Sequence, residues 1–475
     1  MSEKASENNS KAVKAGIGYT IGNILSKGLS FLAMPLFGRI MSVEDYGKYN
    51  TYTAYTSVFF VVAGLALHVS IKNAKIDYEK ELKEYTSSLT LMIIINTLIL
   101  MVLGIVCAGP LERAGLLERA DIAVPIVLES FCMAMITYYN HVLAVDYRHK
   151  EYVVLSFIYA ALGIVLSVVL IETVYTDERF MGRVMGMLIS GGLFAVYILF
   201  RLYRAAVPKP DKEYWKYGLK ISIPIVPHGV SQMILSLSDR VMIKKFCGDT
   251  KNGLYGFACN IGVIFTVVTT ALDTAWSQWF FDKMEAGEKA EIRKAASIYA
   301  VVVAAGAILL MSVSPELIVL MGGEKFRESC ILAFPIVMAM FYSFMFGFPS
   351  VVEYYHKRTW LIAAGTVFTA VLNIILNLVC IQKYGYVAAA YTTVGCYFVY
   401  YVIHVIFAYF IRHEFLYDMR VHGGCVALVS IAGFGFVASY EMPVIRLMVL
   451  CAGIAAGIVI FLKYKKMILN LLRRK

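Results

Sequence analysis

Charge is what this chain has least of. Only 16% of its 475 residues are Asp, Glu, Lys or Arg, while 59% are hydrophobic. A soluble globular domain carries about a quarter charged residues, so an ordinary water-exposed fold is excluded. Nine cysteines are present but none forms a Cys-x-x-Cys pair, which removes the usual spacing of a zinc ribbon or a redox dithiol. Cys107, Cys132, Cys380 and Cys396 lie inside apolar runs and read as small buried residues. His68, His141, His404 and His422 show no ligand spacing, so no metal or other cofactor is expected and these rings read as packed or interfacial. No Gly-x-x-x-x-Gly-Lys-Ser/Thr loop occurs, so the chain has no Walker-type cradle for ATP. Long polar stretches are missing too, which leaves no room for a soluble catalytic domain and no large outer loops for a polymerase or ligase. The chain is read as a non-enzyme.

What the sequence does have is apolar runs of about 20 residues, the length needed to cross a bilayer. Fourteen are expected, near 15–37, 49–71, 86–108, 122–145, 152–174, 181–203, 218–243, 253–275, 295–314, 329–350, 359–381, 385–410, 421–440 and 443–463. The fold class is therefore an all-α integral membrane protein. The polar start 1–9 leads into a run long enough to stay as an anchor rather than a cleaved signal. The net charge of +11 is spread through short loops, so nucleic acid is not an expected partner. With the N-terminus in the cytoplasm, inner segments hold about 29 Lys and Arg and outer ones about 13, the bias that orientation rules require. An even span number puts both termini in the cytoplasm. Segment 72–85 alternates charge signs and reads as a short solvated helix, and Trp276 and Trp279 read as interface anchors.

The two halves repeat each other. Asp45-Tyr-Gly-Lys-Tyr49 returns as Lys251-Asn-Gly-Leu-Tyr255, about 206 residues later. Pro125-Ile-Val127 returns as Pro335-Ile-Val337 and His149-Lys150 as His356-Lys357, at nearly the same offset. This predicts an N-terminal lobe, 1–204, of six spans and a cytoplasmic linker, 205–216. A C-terminal lobe, 217–412, of six spans follows, and then 413–475 with two further spans and a basic tail. Six is even, so the lobes share one orientation and a polar seam between them suits alternating access.

Gly16 to Tyr49, with Ile21-Gly-Asn-Ile-Leu-Ser-Lys-Gly-Leu29 and Pro35-Leu-Phe-Gly-Arg-Ile40, resembles the opening of Wzx-type polysaccharide flippases. These belong to the multidrug/oligosaccharidyl-lipid/polysaccharide (MOP) exporter superfamily. Ile223-Pro-Ile-Val-Pro-His228, Leu237-Ser-Asp-Arg240, Gly253-Leu-Tyr255, and Asn373 and Asn377 before Gly385 and Ala388–Ala390 extend the likeness over nearly the whole chain. The resemblance implies a bacterial inner-membrane protein that moves undecaprenyl-diphosphate-linked oligosaccharide from the cytoplasmic to the outer leaflet. Its partners would then be the lipid-linked sugar, membrane lipids and other polysaccharide-assembly proteins. A lipid II flippase and a cation-coupled multidrug exporter remain alternatives within the superfamily, and a coupling ion, H+ or Na+, is left open.

Ionisable groups inside apolar runs are the site candidates. An Arg or Lys at the centre of a membrane helix costs about 2.5–3.5 kcal/mol on insertion scales, so each is kept for a partner, a cavity or a ligand. Lys27 lies about twelve residues into the first span and Arg39 at its outer end. Asp239 and Arg240 are neighbours in the seventh. Their side chains point about 100° apart on a helix, so each needs its own partner. These four are the expected cavity residues for a diphosphate or an acidic sugar. Glu129 and Asp273 are candidates for ion coupling or gating. Lys220, His228 and Glu353 are expected at the cytoplasmic mouth.

Overall fold

The computed structural model describes residues 22, 28–29, 31–115, 117, 119–440 and 442–453. Among them every regular element is helical. In chain order these are α1 Phe31–Ile40, α2 Val43–Gly64, α3 Ser70–Asp77, α4 Leu82–Arg113, α5 Ala123–Val145, α6 His149–Thr173, α7 Arg179–Ala205 and α8 Lys212–Ser222. They continue with α9 Val226–Cys247, α10 Asp249–Glu285, α11 Lys289–Gly322, α12 Cys330–Tyr355, α13 Thr359–Tyr384, α14 Val387–Arg412, α15 Met419–Ala438 and α16 Pro443–Gly453. Eleven spans among the described residues are long and apolar enough to cross a membrane, or twelve if α2 and Leu67–Asp77 count as one span bent by 55°. Fourteen are not reached. The first and last expected spans fall on the short helices α1 and α16, and their remaining residues lie outside the described ones. The chain is a multi-pass membrane protein.

The bend after α2 has a backbone cause. Leu65 and Ala66 both take left-handed conformations, at φ 48° and 50°, which end the helical hydrogen-bond ladder. The ladder resumes past His68, whose ring lies 4.6 Å from that of His141. Large apolar side chains such as Leu98, Val102 and Val106 on α4 stay exposed, as a lipid-facing surface requires.

Packing divides the chain into two compact units. One takes residues up to Gly256 together with Thr366–Tyr386; the other takes Phe257–Gly365 and Val387 onward. In the first unit, α6 and α7 approach closely because Gly186 has no side chain. A Cβ there would stand 2.3 Å from the backbone nitrogen of Ser167, the small-residue crossing by which membrane helices gain contact without a hydrophobic drive. Ser167 Oγ then donates to Gly163 O at 2.7 Å. The 72–85 segment is solvated at most of its charged residues, as its sequence suggests, and is held by its tyrosines. Tyr78 stacks on Tyr85 and meets Tyr214 and Tyr217 of α8 edge-on, at 5.2 and 5.0 Å. The expected linker is thus partly helix, capped by Asp211, whose carboxylate accepts from the Glu213 and Tyr214 N–H groups. Pro224 and Pro227 stand in the first positions of the helical turns that follow α8, where a missing N–H is harmless.

In the second unit α12 is the central helix, buried along most of its length. Trp276 is buried there rather than anchored at an interface, with its ring 5.2 Å from Phe348. Tyr417 Oη donates to Phe348 O at 2.7 Å. The connection after α14 is clamped by charge. Lys289 and Arg412 both donate to Glu414 Oε1 at 2.7 Å, and these bonds draw the Glu414 carboxyl from 4.5 down to about 2.

Candidate functional site

In the first unit, α2 is the spine on which the polar groups are arranged. Ser42 caps it by accepting from the Asp45 N–H, and residues spaced by three or four then fall on one face. One face carries Tyr46, Tyr49 and Tyr52 toward α5 and α7. Tyr52 Oη donates to Glu129 Oε2 at 2.6 Å, with both residues buried. Arg183 of α7 lays its guanidinium 3.8 Å from the Tyr49 ring centre and 4.0 Å from that of Phe37. A cation held between aromatic faces is stabilised by their negative quadrupoles, by about 2 kcal/mol or more when desolvated. Sequence reading left Arg183 unassigned; its four-residue spacing from Arg179 was the available signal.

The opposite face of α2 meets α10. Asn252 Nδ2 donates to Gly47 O and to Thr51 Oγ1, both at 2.8 Å, and Asn50 Nδ2 donates to Asn252 O at 3.3 Å. The close approach depends on Gly47 and Gly253. A Cβ on the first would come 1.9 Å from Asp249 O, and one on the second 1.9 Å from Val43 O. These two glycines hold the same place in the sequence repeat, so the repeated segments cross each other.

Beside this crossing lie Asp239 and Arg240 on α9. Asp239 is buried and accepts through Oδ2 from Tyr255 Oη, while its Oδ1 accepts from the Arg240 backbone N–H at 2.8 Å. The Arg240 side chain turns to α2, with Nη1 3.5 Å from Thr53 Oγ1, and its buried Nε has no hydrogen-bond partner. Next to it Ser238 Oγ donates to Asn373 Oδ1 at 3.1 Å, which also accepts from Asn377 Nδ2 at 3.0 Å. Asn373 Nδ2 is buried without a partner. α2, α9 and α13 enclose a groove of about 430 Å³ here, walled mainly by apolar groups such as Tyr55, Phe59, Leu237 and Ile374. Ser238 and Lys245 line it from one face of α9. They are two helical turns apart, and Lys245 is exposed with no acidic partner among the described residues. The arrangement offers a greasy wall with hydroxyl, amide and cationic groups along one flank, a match for an amphiphile with an anionic head.

Of the candidates named from sequence, Asp239 and Arg240 are on α9, the helix that walls this groove with Ser238 and Lys245, but neither lines it; Asp239 turns to Tyr255 and Arg240 to Thr53. Glu129 lies on the other side of α2, tied to Tyr52. Arg39 is exposed near the end of α1, and Lys27 falls outside the described residues. Lys220 is exposed on α8, and His228 is half-buried with Nδ1 unpartnered. Asp273 and Glu353 belong to the second unit. Asp273 lies exposed against Gly347 of α12. Glu353 is fully buried beside His404, so a solvated mouth position does not describe it.

The model of a family described as polysaccharide biosynthesis protein matches residues 12–282. Lsg locus protein 1 of Haemophilus influenzae is 23% identical over 281 residues, 58% of this chain and 67% of that protein. Among solved structures, the lipid II flippase MurJ in an inward closed conformation aligns with a TM-score of 0.69 at 13% identity. That alignment covers 95% of this chain and all of that one. An inward-facing multidrug resistance MATE family transporter of the MOP superfamily aligns with a TM-score of 0.65 at 14% identity, covering 84% and 95%. The fold is the one these two transporters share, in keeping with the superfamily named from the sequence.

Proposed function

The chain belongs to the polysaccharide biosynthesis protein family, and we propose that it is a flippase for a lipid-linked oligosaccharide, not an enzyme. Its substrate would be an undecaprenyl-diphosphate-linked repeat unit, carried from the cytoplasmic to the outer leaflet of a bacterial inner membrane, with both termini cytoplasmic. The observation that carries this reading is the groove of α2, α9 and α13, apolar on its walls and lined or flanked by Ser238, Arg240 and Lys245. A diphosphate and a glycan cannot enter hydrocarbon unaided, whereas a fixed guanidinium replaces lost hydration with charge-assisted hydrogen bonds. Arg240 Nε is buried and unpartnered beside the groove, and this reading requires a rearrangement of α9 that would turn it to such an oxygen. Lys27 and Arg39 would extend the cationic path. The fold shared with a lipid II flippase supports the reading, since lipid II is also a lipid-borne headgroup. A hydrophobic cation would meet Arg240 and Lys245 unfavourably, which places a drug exporter second. The repeat-related lobes, 1–204 and 217–412, would rock to expose the site to each leaflet in turn.

The test is leaflet-resolved accumulation of the lipid-linked sugar in cells lacking the protein. Wild type restores outer-leaflet product, and Arg240→Ala or Lys27→Ala restores it at a small fraction of that rate. Normal outer-leaflet product in the deletion strain rejects the flippase assignment. Full rescue by both variants removes the proposed cationic site.

A further inference from the structure

Glu353 near the end of α12 and His404 on α14 form a buried acid–base pair in the second unit. Both have 0% side-chain exposure, and His404 Nδ1 lies 2.6 Å from Glu353 Oε1. Their outer atoms, Glu353 Oε2 and His404 Nε2, have no hydrogen-bond partner. Aromatic rings wall the imidazole, with Phe346 and Tyr400 at 4.7 Å and Phe407 at 5.6 Å. On the far side the ring packs on Gly365, where a Cβ would stand 2.3 Å from Nε2.

We propose that Glu353 and His404 form a proton-binding site inside the second unit, at which a proton gradient is coupled to transport. The coupling part rests on the carrier reading above; the proton site does not. One proton shared between carboxylate and imidazole leaves the pair electrically neutral, the state a dry interior favours. In that neutral state His404 Nε2 already carries the imidazole's own hydrogen, so a further proton can enter only at Glu353 Oε2, leaving a carboxylic acid beside an imidazolium and a net charge of +1. Loss of the shared proton leaves a carboxylate beside a neutral imidazole and a net charge of −1. Either charged state requires water to reach the α12–α14 interface. Proton occupancy is therefore linked to whether that interface is dry or wet, and two such states with different proton affinity are what coupling needs. The two unbonded outer atoms are unsatisfied buried polar groups, which destabilise a fold.

The neighbouring titratable groups are these, and among them Tyr401 Oη and His422 Nε2 are buried without a partner. Arg412, lower on α14, donates to Glu414, with Nη1 3.5 Å from His356. Arg358 reaches Glu353 only through its backbone N–H. α10 brings Asp273 against Gly347, a turn and a half away on α12. α15 brings His422, whose ring packs on Tyr417 and Phe348. On α11 the charges are tied at its ends, Glu316 to Arg446 and Arg293 to the Phe415 and Leu416 carbonyls. Tyr354, Tyr355 and Tyr401 complete the set on α12 and α14. The close packing of Gly365 on Nε2, and a donor set of one carboxylate and one imidazole, fit a proton rather than a metal cation.

Infrared difference spectroscopy on the purified full-length protein, titrated from about pH 5 to 8 without substrate, reads the site directly. A carboxylic-acid band should grow as pH falls, vanish in Glu353→Gln and shift in His404→Gln, while both variants melt within a few degrees of wild type. No titrating band in wild type, or the same band in Glu353→Gln, overturns the site. Proteoliposomes carrying the lipid-linked sugar under an imposed pH gradient read the coupling. Wild-type flux should rise with the gradient, and flux in both variants should ignore it. A wild-type flux indifferent to the gradient, or a folded His404→Gln with the wild-type pH profile, overturns the coupling. A titrating band with no sugar movement supports the proton site and rejects the flippase reading.

Discussion

Arg240 and Tyr52 show how differently two polar side chains serve the same helix. Arg240 has one nitrogen 3.5 Å from Thr53 and another buried without a partner, so little of its bonding capacity serves the fold. Arg240→Ala should leave the melting temperature nearly unchanged while lowering flux about tenfold or more, the ratio that one lost charge-assisted bond of about 1.5–3 kcal/mol gives. Arg240→Lys should recover part of that flux. Tyr52 instead satisfies the buried Glu129 carboxyl, so Tyr52→Phe should destabilise the protein by about 1–3 kcal/mol, read as a fall in melting temperature in detergent. Glu414 gives a pH prediction outside the membrane. Its folded value of about 2 lies below the ordinary 4.5, so the stabilisation it adds is complete above about pH 4.5 and is lost as pH falls toward 2. The effect is small, because Glu414 keeps 42% exposure and solvent screens the clamp. Glu414→Gln should flatten that part of the melting-temperature profile by lowering the melting temperature slightly above about pH 4.5 and leaving it unchanged near pH 2.

At the scale of elements, the crossing of α2 and α10 is the tightest point tied to the repeat. Gly47→Ala and Gly253→Ala each force a methyl into a backbone carbonyl. Overpacking of this kind costs about 1–3 kcal/mol or more, and thermal melts of the purified variants should fall accordingly. Gly306→Ala on α11, where a Cβ meets nothing within 4 Å, should be neutral or slightly stabilising by comparison. The glycines and their spacing were legible in the sequence as a repeat; that they meet face to face was not. The bend at Leu65 and Ala66 had no sequence signal either, since neither residue type favours a positive φ.

At the scale of the molecule, alternating access requires the two repeat halves to separate and reclose. Thr51→Cys with Asn252→Cys joins them where these side chains already touch at 2.8 Å. In a background without the nine native cysteines, oxidation should arrest flux and reductant should restore it. Unchanged flux in the cross-linked protein would mean that α2 and α10 stay together throughout transport. Hydropathy runs, loop charge and a 206-residue repeat are properties of local sequence. They sufficed for a multi-pass membrane protein and for the positions of most spans; the superfamily came from the motifs that resemble Wzx-type flippases. Which side chains meet was settled by helix rotation and by approach distances set many residues away. So Glu129 found Tyr52, Asp239 found Tyr255, and Glu353, expected at a solvated mouth, closed on His404. A buried charge announces in sequence that it needs a partner; only packing in three dimensions selects which one.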